Sequence, residues 1–213
     1  MDKKALYDLS YGVFLLATKA DGRANACITN TCMQVASDPV RVAIACINGN
    51  LTTELIKKSG VFSLSMLDKT CGFDLIKHFG MQSGRDVDKL EFYELPEDAN
   101  GVPYLDWRAC AMLSCHVLEY TDLGSHTLFI AVVDDAKKLG TEPPMTYAYY
   151  QSDVKPRPAK AAVSGAGSGA ADKKIVGWRC RICKYEYKGE VLPADFVCPI
   201  CGHDASDFEP IYE

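Results

Sequence analysis

Two cysteine pairs, Cys180-x2-Cys183 and Cys198-x2-Cys201, stand fourteen residues apart and constrain this chain more than any other feature. Each C-x-x-C turn points two sulfurs at one spot, and two such turns face to face make a tetrahedral S4 cage. Cys180, Cys183, Cys198 and Cys201 are therefore expected to be metal ligands. Tetrahedral thiolate suits zinc as well as iron, and the spacing alone lies close to that of zinc ribbons. The surroundings favour iron. Trp178, Tyr185, Tyr187, Phe196 and Phe208 crowd one short segment, and so small a unit can bury that many rings only by packing them around the metal loops. Glu186, Glu190, Asp195, Asp204, Asp207 and Glu209 stand where a nucleic-acid-binding ribbon would carry exposed Lys and Arg.

The stretch "CKYEYKGEVLPADFVCPICGHDASDFE" resembles the rubredoxin family across residues 176–211. The resemblance implies one iron ion between the four cysteines, shuttling one electron, with zinc able to replace it on overexpression. Two departures stand out. The span between the knuckles is shorter than in free-standing rubredoxins, and Lys184 replaces the glycine that usually follows the second cysteine. A left-handed backbone there costs lysine about 1 kcal/mol or more, so a less regular first knuckle and a shifted potential are expected.

Nothing upstream looks like this unit. Residues 153–174, "DVKPRPAKAAVSGAGSGAADKK", are rich in Pro, Gly, Ala, Ser and Lys without apolar period, and read as a linker between a domain over 1–152 and a small one over 175–213. "GAGSGA" inside it fits a relaxed dinucleotide fingerprint, but no strand precedes it and no helix follows, so that reading is rejected. A flexible chain of this length spans roughly 25 Å, enough to let one domain reach the other and swing away. Net charge is −5 with no basic face, which argues against nucleic acid as a partner. No apolar run approaches the ~18 residues of a membrane helix, and the N-terminus lacks a cleavage site. A cytoplasmic protein is expected, with its ten cysteines serving as thiols or ligands rather than disulfides.

Residues 1–152 alternate short strands with two brief helices. "YGVFLLATKA", the Asp21-Gly22 turn and "RANACITNT" predict a hairpin. "VRVAIACIN", "VFSLSML", "RACAMLSCHVLEY" and "SHTLFIAVVDDAKK" predict further strands, while "LTTELIKKSG" and "CGFDLIKHFG" have helical spacing and end in glycine. The fold class is mainly β: a closed or split barrel with small helices at its rim, followed by the metal-knuckle domain. In "INGNLTTEL" a buried strand ends at Asn48 and Thr52 and Thr53 fall in the first helical turn, where free N–H groups and hydroxyls suit a phosphate. A plain N-cap at Asn50 or Thr52 explains the same residues.

The segment "NACITNTCMQVASDPVRVAIACINGNLTTELIKKSGVFSLSML", with "LGSHTLFIAVV" and "PMTYAYY" later, resembles the flavin reductase-like FMN-binding split-barrel family over residues 5–150. The resemblance implies that Thr29, Asn30, Thr31, Cys32, Gln34, Val35, Ala36 and Ser37 wrap the isoalloxazine and ribityl chain, largely through backbone groups. It implies that Asn48, Asn50, Thr52 and Thr53 hold the FMN phosphate, that hydride comes from NADH or NADPH, and that the chain forms a homodimer. Gly124-Ser125-His126 stands where the family has Gly-Asp-His, which makes His126 the candidate nicotinamide contact. Cys27, Cys46, Cys71, Cys110 and Cys115 read as small buried hydrophobes, and His78 and His203 as surface residues.

Together the two halves resemble the high-molecular-weight rubredoxins, fusions found in anaerobes. Hydride carries two electrons, an Fe(Cys)4 centre takes one, and a flavin can hold both and release them singly. The resemblance implies an oxidoreductase carrying electrons from NAD(P)H through FMN to iron, and on to a partner such as a flavodiiron protein or a rubrerythrin. Two other readings stand beside it: a reductase releasing free reduced flavin with a structural zinc site, and a non-enzymatic interaction module.

Overall fold

The computed structural model describes residues 3–156, 174–181, 185–199 and 205–212. The chain divides into two compact units, Met1–Lys155 and Pro156–Glu213. Residues 157–173, most of the expected linker, lie outside the described residues.

The first unit is a seven-stranded antiparallel sheet in the order β2-β1-β5-β6-β7-β4-β3. Its strands are β1 (Phe14–Ala20), β2 (Arg23–Thr29), β3 (Cys32–Ser37), β4 (Val40–Ile47), β5 (Val61–Leu67), β6 (Ala109–Asp122) and β7 (His126–Lys138). The expected hairpin is β1–β2, with Ala20 opposite Arg23. Asp21 (φ 49°) and Gly22 (φ 76°) are both left-handed, as the two-residue turn that matches strand twist requires.

"RANACITNT" is not one strand. β2 stops at Thr29, Asn30 and Thr31 make a corner, and Cys32 starts the separate strand β3. That corner joins the two edges of the sheet. Three Cα steps reach about 11 Å at most, so the sheet has to curl until its edges approach there, and Thr29 Oγ1 donates to the Ala45 carbonyl of β4 at 3.3 Å. β2 and β3 are not ladder partners. The result is a split barrel.

Period-two alternation fills both sides of β1. Phe14 and Leu16 point into the barrel with Cys27, Val42, Ile44, Cys46, Phe62, Leu64, Cys115 and Phe129. Leu15 and Ala17 point outward into a second core shared with Leu75, Ile76 and Phe79 of helix α2 (Phe73–Gly80) and with Leu105, Met145 and Tyr150. The cysteines at 27, 46, 71, 110 and 115 are all buried, as expected. Helix α1 (Leu51–Ser59) follows β4 and ends on Gly60 at φ 72°, whose N–H returns to the Ile56 carbonyl at 2.8 Å, a left-handed cap. α2 differs: Gly80 is still helical and Met81 caps it. A helical tail, Tyr147–Tyr149 and Tyr150–Val154, runs two residues past the expected domain boundary. No helix among the described residues is long and apolar enough to cross a membrane.

The second unit is a three-stranded sheet, order β10-β8-β9, from β8 (Ile175–Cys180), β9 (Glu186–Lys188) and β10 (Phe208–Tyr212). Its core is Cys180, Cys198 and Phe208 ringed by Trp178, Tyr185, Tyr187, Leu192 and Phe196.

Candidate functional site

The β4–α1 junction is built as the sequence predicts and wired differently. Asn50 is the N-cap, and its Oδ1 accepts from the Thr52 N–H at 3.1 Å. Thr52 and Thr53 are both fully buried. Thr52 Oγ1 accepts from Asn25 Nδ2 at 2.9 Å, and Thr53 Oγ1 donates to the Ile47 carbonyl at 2.8 Å. Both hydroxyls face the interior. That leaves the first-turn backbone N–H groups other than that of Thr52, and not the hydroxyls, as the donors of the helix start.

Register brings the separate sequence candidates together. Ile47 pairs with His126 across β4 and β7, Cys32 pairs with Ile44 across β3 and β4, and Thr29 reaches Ala45. The corner is tied locally, since the Thr31 N–H donates to Thr29 Oγ1 at 3.3 Å and Thr31 Oγ1 to Asn30 Oδ1 at 3.1 Å. β3 is a sheet edge with β4 on one side only, so one row of its backbone groups is left for a ligand. Gln34 Nε2 donates to the Ala36 carbonyl at 3.1 Å, and Val35, Ala36 and Ser37 continue the strand. Cys32, Met33 and Gln34 line an apolar cleft of about 760 Å³ with Tyr11, Phe14 and Met66. Burial pushes the Cys32 thiol up to about 12, which makes it a poor nucleophile at neutral pH.

His126 opens β7. Desolvation lowers its pKa, so the ring is neutral at pH 7. Ser125 Oγ lies 2.9 Å from Nδ1.

Sequence reasoning missed Lys89 and Asn25. Lys89 is 3 % exposed, and its ammonium donates to the carbonyls of Ala26 at 3.0 Å and Phe79 at 2.8 Å. Burial lowers its pKa. The Cys27 thiol ties it to the helix start: burial raises that thiol, against the opposing pull of the Thr52 side chain, the Lys89 ammonium and the Asn50 side chain. His78, expected at the surface, is half buried, with Nε2 2.8 Å from the Lys89 carbonyl oxygen. A polar cleft of about 700 Å³ adjoins Asn25, lined by Lys19, Arg23, residues 84–88 and Leu90. "SGRDVDKL" has no periodicity to mark one lysine as buried, so its composition reads as a solvated loop.

In the second unit Cys180 and Cys198 are buried together in one aromatic cluster. Phe196 stacks edge-on against Tyr187 and Phe208, at 4.8 Å and 5.4 Å between centroids. The Cys180 N–H donates to the Tyr185 carbonyl at 2.8 Å. Cys183, Cys201, Lys184 and His203 lie outside the described residues. Two thiols converging inside a ring cluster suit a thiolate-bound ion.

Residues 6–157 match the family described as flavin reductase like domain, and residues 178–209 match the rubrerythrin, rubredoxin-like domain. The chain belongs to the flavin reductase-like family and carries a rubredoxin-like domain at its C-terminal end. Over 99 % of its length it is 34 % identical to the whole of a "High molecular weight rubredoxin" from Moorella thermoacetica. A "Ferric-chelate reductase (NAD(P)H)" from Archaeoglobus fulgidus is 33 % identical over 70 % of this chain and 89 % of its own. Among solved structures, an FMN-binding protein from Thermus thermophilus superposes with a TM-score of 0.57 at 25 % identity, covering 62 % of this chain and 74 % of that one. The chain is thus an oxidoreductase of the flavin reductase type joined to an electron-transfer domain.

Proposed function

We propose that this chain is an NAD(P)H-dependent FMN oxidoreductase that delivers electrons through an Fe(Cys)4 centre to a redox partner protein, of the flavodiiron or rubrerythrin kind. The observation that carries the reading is convergence. Ile47, at the end of the strand that leads into α1, pairs with His126, and the Cys27 thiol feels both the Asn50 and Thr52 side chains and the Lys89 ammonium, in a chain whose second unit buries Cys180 and Cys198 among aromatic rings.

The residues fit FMN. A buried cation and a helix N-terminus that both act on one thiol, Cys27, suit a bound anion, because both supply positive potential. The free edge of β3 suits a flat ring whose rim carries donors and acceptors. FMN would supply the conversion of a hydride pair into single electrons. The chain's own part is to bind and orient: Asn50 fixes the helix start, Lys89 supplies charge, residues 29–37 hold the ring, and neutral His126 meets the nicotinamide without adding a second positive charge. Cys180, Cys183, Cys198 and Cys201 would hold iron, and their thiolate charge and aromatic shell would tune its potential. The partners resemble those of the family, and a cytoplasmic site and a homodimer complete the proposal.

An anaerobic visible spectrum before and after NADH or NADPH tests the path. Flavin and ferric-thiolate bands should both be present and both bleach. A spectrum in which only flavin bleaches, or in which no ferric-thiolate band accompanies four metal-bound cysteines, puts zinc or an uncoupled domain in its place.

A further inference from the structure

Asn48 reads from its position as a phosphate ligand at the β4–α1 junction, yet its side chain is fully used elsewhere. Nδ2 donates one hydrogen to Asp122 Oδ1 at 2.8 Å and the other to the Gly124 carbonyl at 2.9 Å. Both partners accept only, which fixes the amide's orientation. Oδ1 accepts from Thr127 Oγ1 at 2.6 Å, and the backbone N–H donates to the Ser125 carbonyl at 3.0 Å. No amide hydrogen is left for a phosphate.

The partners form one closed turn around His126. Asp122 Oδ1 also accepts from the Gly124 N–H at 2.7 Å, and the Leu123 N–H donates to the His126 carbonyl at 2.8 Å. Hydrogen bonds from Gly124 and then Asn48 hold the Asp122 carboxyl below its ordinary range, so it is ionised at neutral pH and would repel a phosphate placed beside the amide. Thr127 is fully buried and anchors the other side.

We infer that Asn48 is a positioning residue: it clamps the 122–127 turn to the end of β4, so that the fold, and not the incoming nucleotide, sets the His126 imidazole. The inference rests on the proposed reading for what His126 does, and on geometry alone for the clamp. A side chain displaced by an ångström can cost up to about a hundredfold in a transfer step, because productive hydride geometry is narrow.

Asn48→Ala, Thr127→Val and the conservative Thr127→Ser separate the possibilities. In apo-protein, NMR titration of the His126 ring should show its pKa rising toward the ordinary value in Asn48→Ala and Thr127→Val as the turn loosens and water enters, with Thr127→Ser unchanged. In FMN-loaded protein, stopped-flow flavin reduction should slow by about tenfold or need about tenfold more NAD(P)H in the first two variants, while the FMN dissociation constant moves by less than about threefold. An unchanged His126 titration in Asn48→Ala overturns the clamp. So does a tenfold weaker FMN with unchanged reduction of the loaded protein, the signature of a phosphate ligand. If Asn48→Ala does not fold, Thr127→Val reports the same clamp from the opposite partner. A wild-type protein that takes no flavin overturns the reading of the site and leaves the apo-protein titration to decide the clamp.

Discussion

Lys89 keeps a charge inside the first unit at a cost that its visible partners offset only in part. Two carbonyls accept from the ammonium, and among the described residues no carboxylate lies in ion-pair range of it. A buried ammonium without a counter-charge is expensive, and its lowered pKa reports that burial. One acceptor, the Phe79 carbonyl, belongs to the last turn of α2, where a cation is favoured, and on the proposed function a ligand anion adds to these partners on binding. Lys89→Met should therefore leave the apo-protein close to wild type in thermal stability, because two carbonyls losing their donor is offset by removing a desolvated charge. Flavin fluorescence quenching should show FMN bound at least about tenfold more weakly. A variant that is much less stable and binds FMN normally would make Lys89 structural. Neighbouring residues mark the limit of what a sequence shows at this scale. The N-cap at Asn50 is legible because capping is local in the chain. The inward turn of the Thr52 hydroxyl toward Asn25, twenty-seven residues earlier, depends on which strand lies beneath the helix, and no local pattern carries that.

Elements were legible where periodicity was long and turns were marked. The Asp21-Gly22 hairpin, the strands around 40–47 and 61–67, and both helices follow from alternation, helical spacing and glycine. β3 was not, because Asn30 and Thr31 make a corner without Gly or Pro and the strand beyond it mixes exposed Met33 and Val35 with polar Gln34. Its role is to close the barrel and to leave an apolar surface behind. Met33, Ala43 and Ile130 form one outward cross-strand row on β3, β4 and β7, followed by Ala45 beside Leu128. α2 covers the outer face of β1, whereas Met33 is 57 % exposed and Val35 48 %. Two exposed apolar side chains beside this buried and half-buried row suit an interface, and in the proposed homodimer a second copy covers them. Met33→Lys should then convert a dimer to a monomer in sedimentation velocity while circular dichroism stays native, since the residue carries no core contact. A dimer that survives the substitution would place the interface on another face.

Across the whole molecule, two chemistries are housed in two separate cores. The first unit packs apolar side chains on both sides of β1. Among the described residues the core of the second is Cys180, Cys198 and Phe208 with the rings and Leu192 around them, and a unit of about forty residues rarely folds on so small a core without a metal or disulfide. The four-cysteine spacing made that dependence readable from the chain alone, because thiolate geometry is local to each turn. How electrons leave the first unit is not local to any turn and left no pattern to read. Cys198→Ser separates the two chemistries. It should remove the iron by metal analysis, unfold the second unit as loss of its sheet signal, and abolish electron delivery to a rubredoxin-type acceptor. FMN should stay bound, and NAD(P)H should still reduce it at the wild-type rate under anaerobic conditions. Loss of flavin, or of its reduction, in that variant would mean that the first unit depends on the second for its fold or its chemistry, and a tethered electron carrier would no longer describe the chain.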